Sequence, residues 1–240
     1  MAAATVAATS LHARAGRPNL FIKIPGTPEG LPAIEEAIFA GIPVNVTLLF
    51  DTAQYLAAAD AYMNGVERRI AAGLDPAICS VASVFMSRWD RAISGKVPAE
   101  LENTLALAVG QHVYRAYRRL MDSDRWQALE AKGARMQRLL WASTSTKDPS
   151  ALDTMYVSGL AAPMTINTMP DSTLLAFADH GTVDGMLPAD GGDCDARLAA
   201  FTAAGVDLTA LAAELQTEGA DAFVTSWNGL MARVAAQAGA

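Results

Sequence analysis

The stretch that decides the fold is Asn19-Leu20-Phe21-Ile22-Lys23-Ile24-Pro25, a short and nearly all-apolar segment interrupted by one lysine. Short apolar segments of this kind are typical of strands in a parallel sheet, which are buried on both faces. The turn Gly26-Thr27-Pro28-Glu29-Gly30 follows, and Thr27 is a suitable cap for a helix that runs from Pro28 to Ala40. The sequence therefore predicts a strand, a turn and a helix over residues 19–40.

The same unit recurs along the chain. Strands that alternate with helices at intervals of about 25–40 residues form βαβ units and a parallel sheet. Further strands are predicted over 43–50, 78–85, 138–142 and, more weakly, 164–168. Helices are predicted over 52–73, 98–133 with a break near 122–124, 170–180, 194–204, 208–215 and 219–238.

Polar residues occur near the carboxyl ends of these apolar strands. They are Lys23, Asn45, Thr47, Ser83 and Ser143. A polar side chain in a buried strand costs a few kcal/mol unless it is hydrogen bonded. In a parallel barrel the carboxyl ends of the strands carry the active site, so the pattern predicts a site at this end.

The composition narrows the class of protein. With 52% hydrophobic and 18% charged residues the chain is globular and not intrinsically disordered. The net charge is −7 and no basic patch stands out, which argues against a nucleic-acid partner. No apolar run approaches the ~18 residues of a membrane span. Two cysteines, Cys79 and Cys194, cannot form a disulfide scaffold and favour a reducing, cytoplasmic location.

The first 28 residues contain no Asp or Glu and are rich in Ala, Thr and Arg, which resembles a transit peptide by composition. The alternative is an alanine-rich helix that ends at Gly16 and Pro18. We favour the helix because the strand pattern begins directly after it. The whole chain, 1–240, is interpreted as one domain, and it contains no metal-ligand spacing and no cofactor fingerprint.

Four segments, in order, resemble transaldolase. FIKIPGTPEG at 21–30 is similar to the family's Schiff-base lysine segment, and GIPVNVTLLF at 41–50 is similar to its next strand. LWASTSTKDP at 140–149 and TINTMP at 165–170 resemble its last two strands. The resemblance extends from about residue 17 to the end and is closest to the actinobacterial and cyanobacterial type, including the fusions to glucose-6-phosphate isomerase.

The resemblance implies an aldolase-type (β/α)8 barrel that needs neither metal nor cofactor. Such enzymes of the pentose phosphate pathway move a dihydroxyacetone unit from a ketose phosphate to an aldose phosphate. The donors are sedoheptulose 7-phosphate and fructose 6-phosphate, and the acceptors are glyceraldehyde 3-phosphate and erythrose 4-phosphate. Sugar phosphates are therefore the expected partners.

The resemblance makes Lys23 the amine that condenses with the donor ketone. We expect desolvation by the apolar neighbours of Lys23 to favour the neutral amine that a Schiff base requires. The alternative is a lysine whose stem is buried and whose head reaches solvent at the strand end.

The remaining roles also follow from the resemblance. Asn45 and Thr47 would hydrogen bond around the dihydroxyacetone unit and its catalytic water, beside Ser83. Arg88 would hold the substrate phosphate, for which its planar fork of donors is suited. Ser143 and Lys147 would add a hydroxyl and a positive charge in the loop after the strand, a common phosphate site in such barrels. The competing interpretations are an Arg88 that pairs with Asp90, a Lys147 on a surface loop, and interior polar residues that satisfy one another.

The family has its Schiff-base lysine on the fourth strand, so the resemblance predicts a partial barrel of strands four to eight, without the first three. The family's catalytic aspartate and glutamate have no counterpart here. Glu29, Glu35 and Asp51 are expected at helix starts or on solvated faces. Three alternatives stay open: a chain that binds sugar phosphates without turnover, a fragment of a longer transaldolase, and a barrel completed by a fusion or partner chain.

Overall fold

The computed structural model describes residues 2–238 and contains five parallel strands in one sheet, in the order β1-β2-β3-β4-β5. β1 and β5 are the edges of this sheet. All five strands lie where the sequence predicts them, and the predicted α/β class with a parallel sheet is confirmed. The strands are β1 (Ile22–Pro25), β2 (Val44–Leu49), β3 (Ser80–Phe85), β4 (Gln137–Ala142) and β5 (Thr165–Asn167).

Ten α-helices and one 3-10 turn, Ala99–Leu101, connect and flank the described strands. The helices are α1 (Ala2–Ala15), α2 (Leu31–Phe39), α3 (Thr52–Ala71), α4 (Ser87–Ile93), α5 (Leu105–Met121), α6 (Asp124–Glu130), α7 (Met155–Ser158), α8 (Asp171–His180), α9 (Cys194–Ala203) and α10 (Leu208–Ala238).

Side-chain caps account for two of the predicted helix boundaries. The Asp51 carboxylate accepts a hydrogen bond from the Gln54 amide at 2.8 Å and begins α3. The Ser123 hydroxyl accepts from the Trp126 amide and begins α6, so the predicted break near 122–124 is confirmed. Each cap satisfies a backbone N–H that has no partner inside the helix.

Several helix predictions need correction. The helix predicted over 98–133 begins at Leu105, after the 3-10 turn Ala99–Leu101. The helix predicted from Pro28 begins at Leu31, because the preceding residues form a turn in which the Gly30 amide donates to the Thr27 carbonyl at 2.8 Å. Helices α4 and α7 were not predicted. The two segments predicted over 208–215 and 219–238 are one continuous helix, α10.

The amino-terminal segment is helical, which confirms the preferred interpretation over residues 2–15; Met1 lies outside the described residues. Gly16 ends α1 with φ +56°, a conformation that favours glycine.

Successive side chains along each strand point to opposite faces of the sheet. On one face Val44, Val46, Ala82, Leu139 and Trp141 are fully buried in the core. The opposite face contains Lys23, Asn45 and Ser83, and there β1 and β4 are partly open to solvent. The candidate site is on this second face.

No helix in the described part of the chain is by itself long and apolar enough to cross a membrane. The consecutive pair α9 and α10, bent by 89°, reaches that length and composition when taken together.

Candidate functional site

Three predicted site residues lie next to one another on successive strands. Lys23 of β1 is directly opposite Asn45 of β2 in the parallel register. The amide oxygen of Asn45 accepts a hydrogen bond from the Ser83 hydroxyl of β3 at 2.7 Å. The register thus brings an amine beside a hydrogen-bonded amide and hydroxyl.

The side chain of Lys23 is exposed, so the expected burial of this lysine is wrong. The physical reason is that β1 is an edge of the sheet and has a neighbouring strand on one side, β2. The neighbouring Phe21 is itself 37% exposed, and Ile24 is buried on the opposite face. The Phe223 ring of α10 lies above the amine, with its centroid 6.0 Å from Lys23 Nζ.

Thr47 is fully buried at the end of β2, and its hydroxyl has no hydrogen-bond partner among the described residues. The strand is irregular there: the β2–β3 register shifts between Val46 and Leu49, and Leu48 has φ +60°. A non-glycine residue in that region of φ is strained, and such strain concentrates at functional sites. The end of β2 therefore contains both a buried free hydroxyl and a strained backbone.

The turn after β1 comes very close to this strand end. The Gly26 amide donates to the Thr47 carbonyl at 2.8 Å. A Cβ at position 26 would lie 2.4 Å from Leu49 Cδ2, so this approach requires glycine.

Arg88 is the second residue of α4, the helix that follows β3, and is half-buried. Its guanidinium carbon is 5.0 Å from the Phe85 ring centroid, within cation–π range. Burial lowers the pKa of Arg88, and the adjacent charge of Arg91 lowers it further, whereas Glu218 raises it. The guanidinium lines a cleft of about 280 Å³ whose other charged residues are Arg91, Lys96, Glu214 and Glu218.

The alternative pairing of Arg88 with Asp90 is not what the structure contains. Asp90 is buried and accepts hydrogen bonds from the Tyr156 hydroxyl at 2.7 Å and the Ala106 amide at 3.2 Å. Burial raises the pKa of Asp90, and the Tyr156 hydrogen bond opposes that change.

Ser143 directly follows β4 and lies beside the start of α4. Its hydroxyl is 2.9 Å from the Ser87 hydroxyl, and its carbonyl accepts from the Ser87 amide at 3.0 Å. Like Leu48, Ser143 has a positive φ, +55°. Ser143 is thus next to the residue that precedes Arg88, so the structure brings these two predicted site residues into one region.

Lys147 and Arg88 line different clefts. Lys147 is exposed, and its Nζ donates to the Ser145 hydroxyl at 2.6 Å. It lines a neighbouring cleft of about 310 Å³ together with Ser87, Asp90 and Tyr156. Arg91 lines both clefts.

The three carboxylates considered from the sequence lie in an exposed turn, in an ion pair and at a helix cap. Glu29 is exposed, Glu35 forms an ion pair with Arg68 at 2.8 Å, and Asp51 caps α3. Within residues 2–238 no group of three or more His, Cys, Asp or Glu side chains is arranged to hold a metal ion.

Sequence reasoning missed two polar residues near the strand ends. Thr144 is buried, with its hydroxyl 2.9 Å from Asn167 Oδ1 and 2.8 Å from the Thr168 carbonyl. The Gln216 amide group donates to the carbonyls of Gly26 and Leu48. Thr144 could have been found from the sequence, because it is a polar residue beside Ser143, whereas no local feature of the sequence distinguishes Gln216.

Comparison with known proteins identifies the family. The model of the Transaldolase/Fructose-6-phosphate aldolase family matches residues 1–234. The chain belongs to this family. The resemblance found in the four sequence segments is thereby confirmed, and the parallel five-stranded sheet is consistent with the aldolase-type barrel of transaldolases.

Three curated relatives show the extent of the similarity to transaldolases. The chain is 49% identical over 233 residues to a transaldolase of Frankia alni, covering 93% of this chain and 62% of that protein. It is 43% identical over 235 residues to Transaldolase 2 of a Nostoc species, covering 90% and 62%. It is 42% identical over 226 residues to a transaldolase of Neisseria gonorrhoeae, covering 94% and 64%. The chain thus spans less than two thirds of the length of these transaldolases.

Proposed function

We propose that this chain acts as a transaldolase, with Lys23 forming a Schiff base to the donor ketose phosphate. The observation that carries the proposal is the register of Lys23 with Asn45, together with the Asn45–Ser83 hydrogen bond. An amine beside an amide and a hydroxyl on one open face of a sheet suits a polyhydroxylated carbonyl compound. Family membership and transaldolase relatives support the same reaction.

In the proposed reaction the Lys23 amine adds to the donor ketone carbon, and loss of water leaves a protonated imine. The imine accepts the electron pair of the bond between the carbons α and β to its own carbon, as the hydroxyl on the β carbon loses its proton and becomes the aldehyde of the leaving group. An aldose phosphate departs, and an enamine of dihydroxyacetone stays on Lys23. The enamine then attacks the acceptor aldehyde, and water releases the product and the free lysine.

The other predicted residues have binding roles in this proposal. Asn45, Thr47 and Ser83 hydrogen bond the dihydroxyacetone unit, and the buried free hydroxyl of Thr47 supports that role. Arg88 and Ser143 hold the phosphate, supported by their common position at the start of α4.

Lys147 adds positive charge from the neighbouring cleft. The sugar phosphates themselves are the proposed partners.

We further propose that the five strands are strands four to eight of a (β/α)8 barrel within one domain, 1–240. Strand edges β1 and β5 are where a fused segment or partner chain would complete that barrel. A cytoplasmic location fits the two free cysteines, Cys79 and Cys194.

Borohydride trapping tests the proposed lysine. Reduction in the presence of fructose 6-phosphate should give a covalent adduct that peptide mapping places on Lys23, and Lys23→Ala should abolish it. Lys96→Ala is the matched control, because Lys96 is an exposed lysine beside the Arg88 cleft. Unchanged trapping in Lys23→Ala would refute the assignment. An adduct with no transfer to erythrose 4-phosphate would favour binding without turnover.

A further inference from the structure

The first half of α10 is hydrogen bonded to the carboxyl ends of β1 and β2. Gln216 is buried, and its side-chain amide donates to the Gly26 carbonyl at 3.2 Å and to the Leu48 carbonyl at 2.9 Å. Buried backbone carbonyls need a hydrogen-bond partner, and here a helix side chain supplies it. The side-chain amide of Gln54 also donates a hydrogen bond to the Ala212 carbonyl of α10, at 3.3 Å.

Gly219, three residues further along α10, allows the helix to approach Arg88. A Cβ at this position would lie 2.7 Å from Leu48 Cδ2 and 3.0 Å from Arg88 Nη1. Both distances are shorter than an ordinary contact, so a side chain here would displace the guanidinium or the helix. The guanidinium of Arg88 therefore lies under a helix face kept open by glycine.

Phe223 lies one further turn along the same face. Residues at i, i+3 and i+7 share one side of a helix, so Gln216, Gly219 and Phe223 face the same way. The Phe223 ring centroid is 6.0 Å from Lys23 Nζ, which is the limit of a cation–π contact. Three consecutive positions of one helix face thus meet the strand ends, Arg88 and Lys23.

We propose that this face of α10 is a wall of the Schiff-base site and that Phe223 is the positioning residue above Lys23. The proposal rests on the proposed function of Lys23. Condensation of the Lys23 ammonium with a ketone releases one water and leaves the positive charge on the imine nitrogen. An aromatic face stabilises that cation and shields it from the water that would hydrolyse it back to ketone and ammonium.

The second half of α10 supplies the control. Trp227 is four residues beyond Phe223 and is 61% exposed, against 46% for Phe223. Among the described residues the Trp227 ring makes no cation–π contact with Lys23, although both aromatic residues are on one helix.

Trapping with fructose 6-phosphate and borohydride tests the ring. Phe223→Leu should lower the yield of adduct on Lys23 by about two- to fivefold, which corresponds to the ~0.5–1 kcal/mol of an exposed cation–π contact. Phe223→Tyr should restore it because it keeps the aromatic face, and Trp227→Leu should leave it unchanged. A wild-type yield in Phe223→Leu, or an equal loss in Trp227→Leu, would overturn the proposal.

A second measurement does not depend on the reaction. Acetic anhydride acetylates lysines, and mass spectrometry compares Lys23 with Lys96 in the same sample. Phe223→Ala should raise acetylation of Lys23 relative to Lys96, and an unchanged ratio would overturn the placement of the ring. If the ratio rises while the wild type forms no sugar adduct, the proposed function fails and the contact between Phe223 and Lys23 is supported.

Discussion

The contact between α10 and the strand ends predicts that two glycines of one helix respond oppositely to the same substitution. A Cβ at Gly219 would be 2.7 Å from Leu48 Cδ2, whereas a Cβ at Gly229 has no heavy atom within 4 Å. Alanine is favoured over glycine inside a helix by ~0.8–1 kcal/mol, and that gain is common to both sites. Overpacking of a well-packed site costs typically ~1–3 kcal/mol, and that cost applies to Gly219 alone.

We therefore expect Gly219→Ala to be less stable than Gly229→Ala by about 1–3 kcal/mol. For a chain of this size 1 kcal/mol shifts Tm by about 2–4 °C, so the two variants should differ by about 2–12 °C. Thermal unfolding followed by circular dichroism measures this difference directly. Equal Tm values would show that α10 does not approach Leu48 and Arg88 as closely as the structure indicates, and would refute the reasoning about the helix face.

Two further predictions concern charged groups. Arg88→Ala should weaken the binding of fructose 6-phosphate, measured by calorimetry, by about 10–150-fold, the equivalent of ~1.5–3 kcal/mol for a charged hydrogen bond. Arg118→Ala on α5 should change the affinity little. Equal losses of affinity in the two variants would mean that total charge, and not a specific site, is responsible. Tyr156→Phe should destabilise the fold at pH 7, because it removes the hydroxyl that donates to the buried Asp90 carboxyl. Burial raises the folded-state pKa of Asp90, so the ionisation of this carboxyl lowers the stability of the fold as pH rises through that pKa. The loss of unfolding free energy in Tyr156→Phe, measured by urea unfolding, should therefore be larger at pH 7 than at pH 4. A loss that does not depend on pH would contradict this role of Tyr156.

Local patterns determined the strands and several helix boundaries. Apolar segments of four to eight residues bounded by Gly and Pro mark buried strands, since burial on both faces leaves little choice of residue. Caps such as Asp51 and Ser123 act within three residues of themselves, so they are readable from the sequence. The roles of Lys23 and Asn45 came from the family resemblance and not from a local pattern, and their opposition in the sheet follows the rule that consecutive strands of a βαβ unit are usually neighbours.

Long-range packing decided the features that the sequence left undetermined or wrongly indicated. The exposure of Lys23 depends on β1 being an edge, which no residue near Lys23 encodes. Helix α10 is continuous through Gly219 because Gln216 and Gly219 contact residues far away in the chain, and this packing offsets the weak helix propensity of glycine. The position of Phe223 above Lys23 follows from that same packing. Sequence thus determined the family and the strands, whereas the tertiary structure decided what surrounds Lys23, because those contacts join segments about 200 residues apart whose pairing has no local signal.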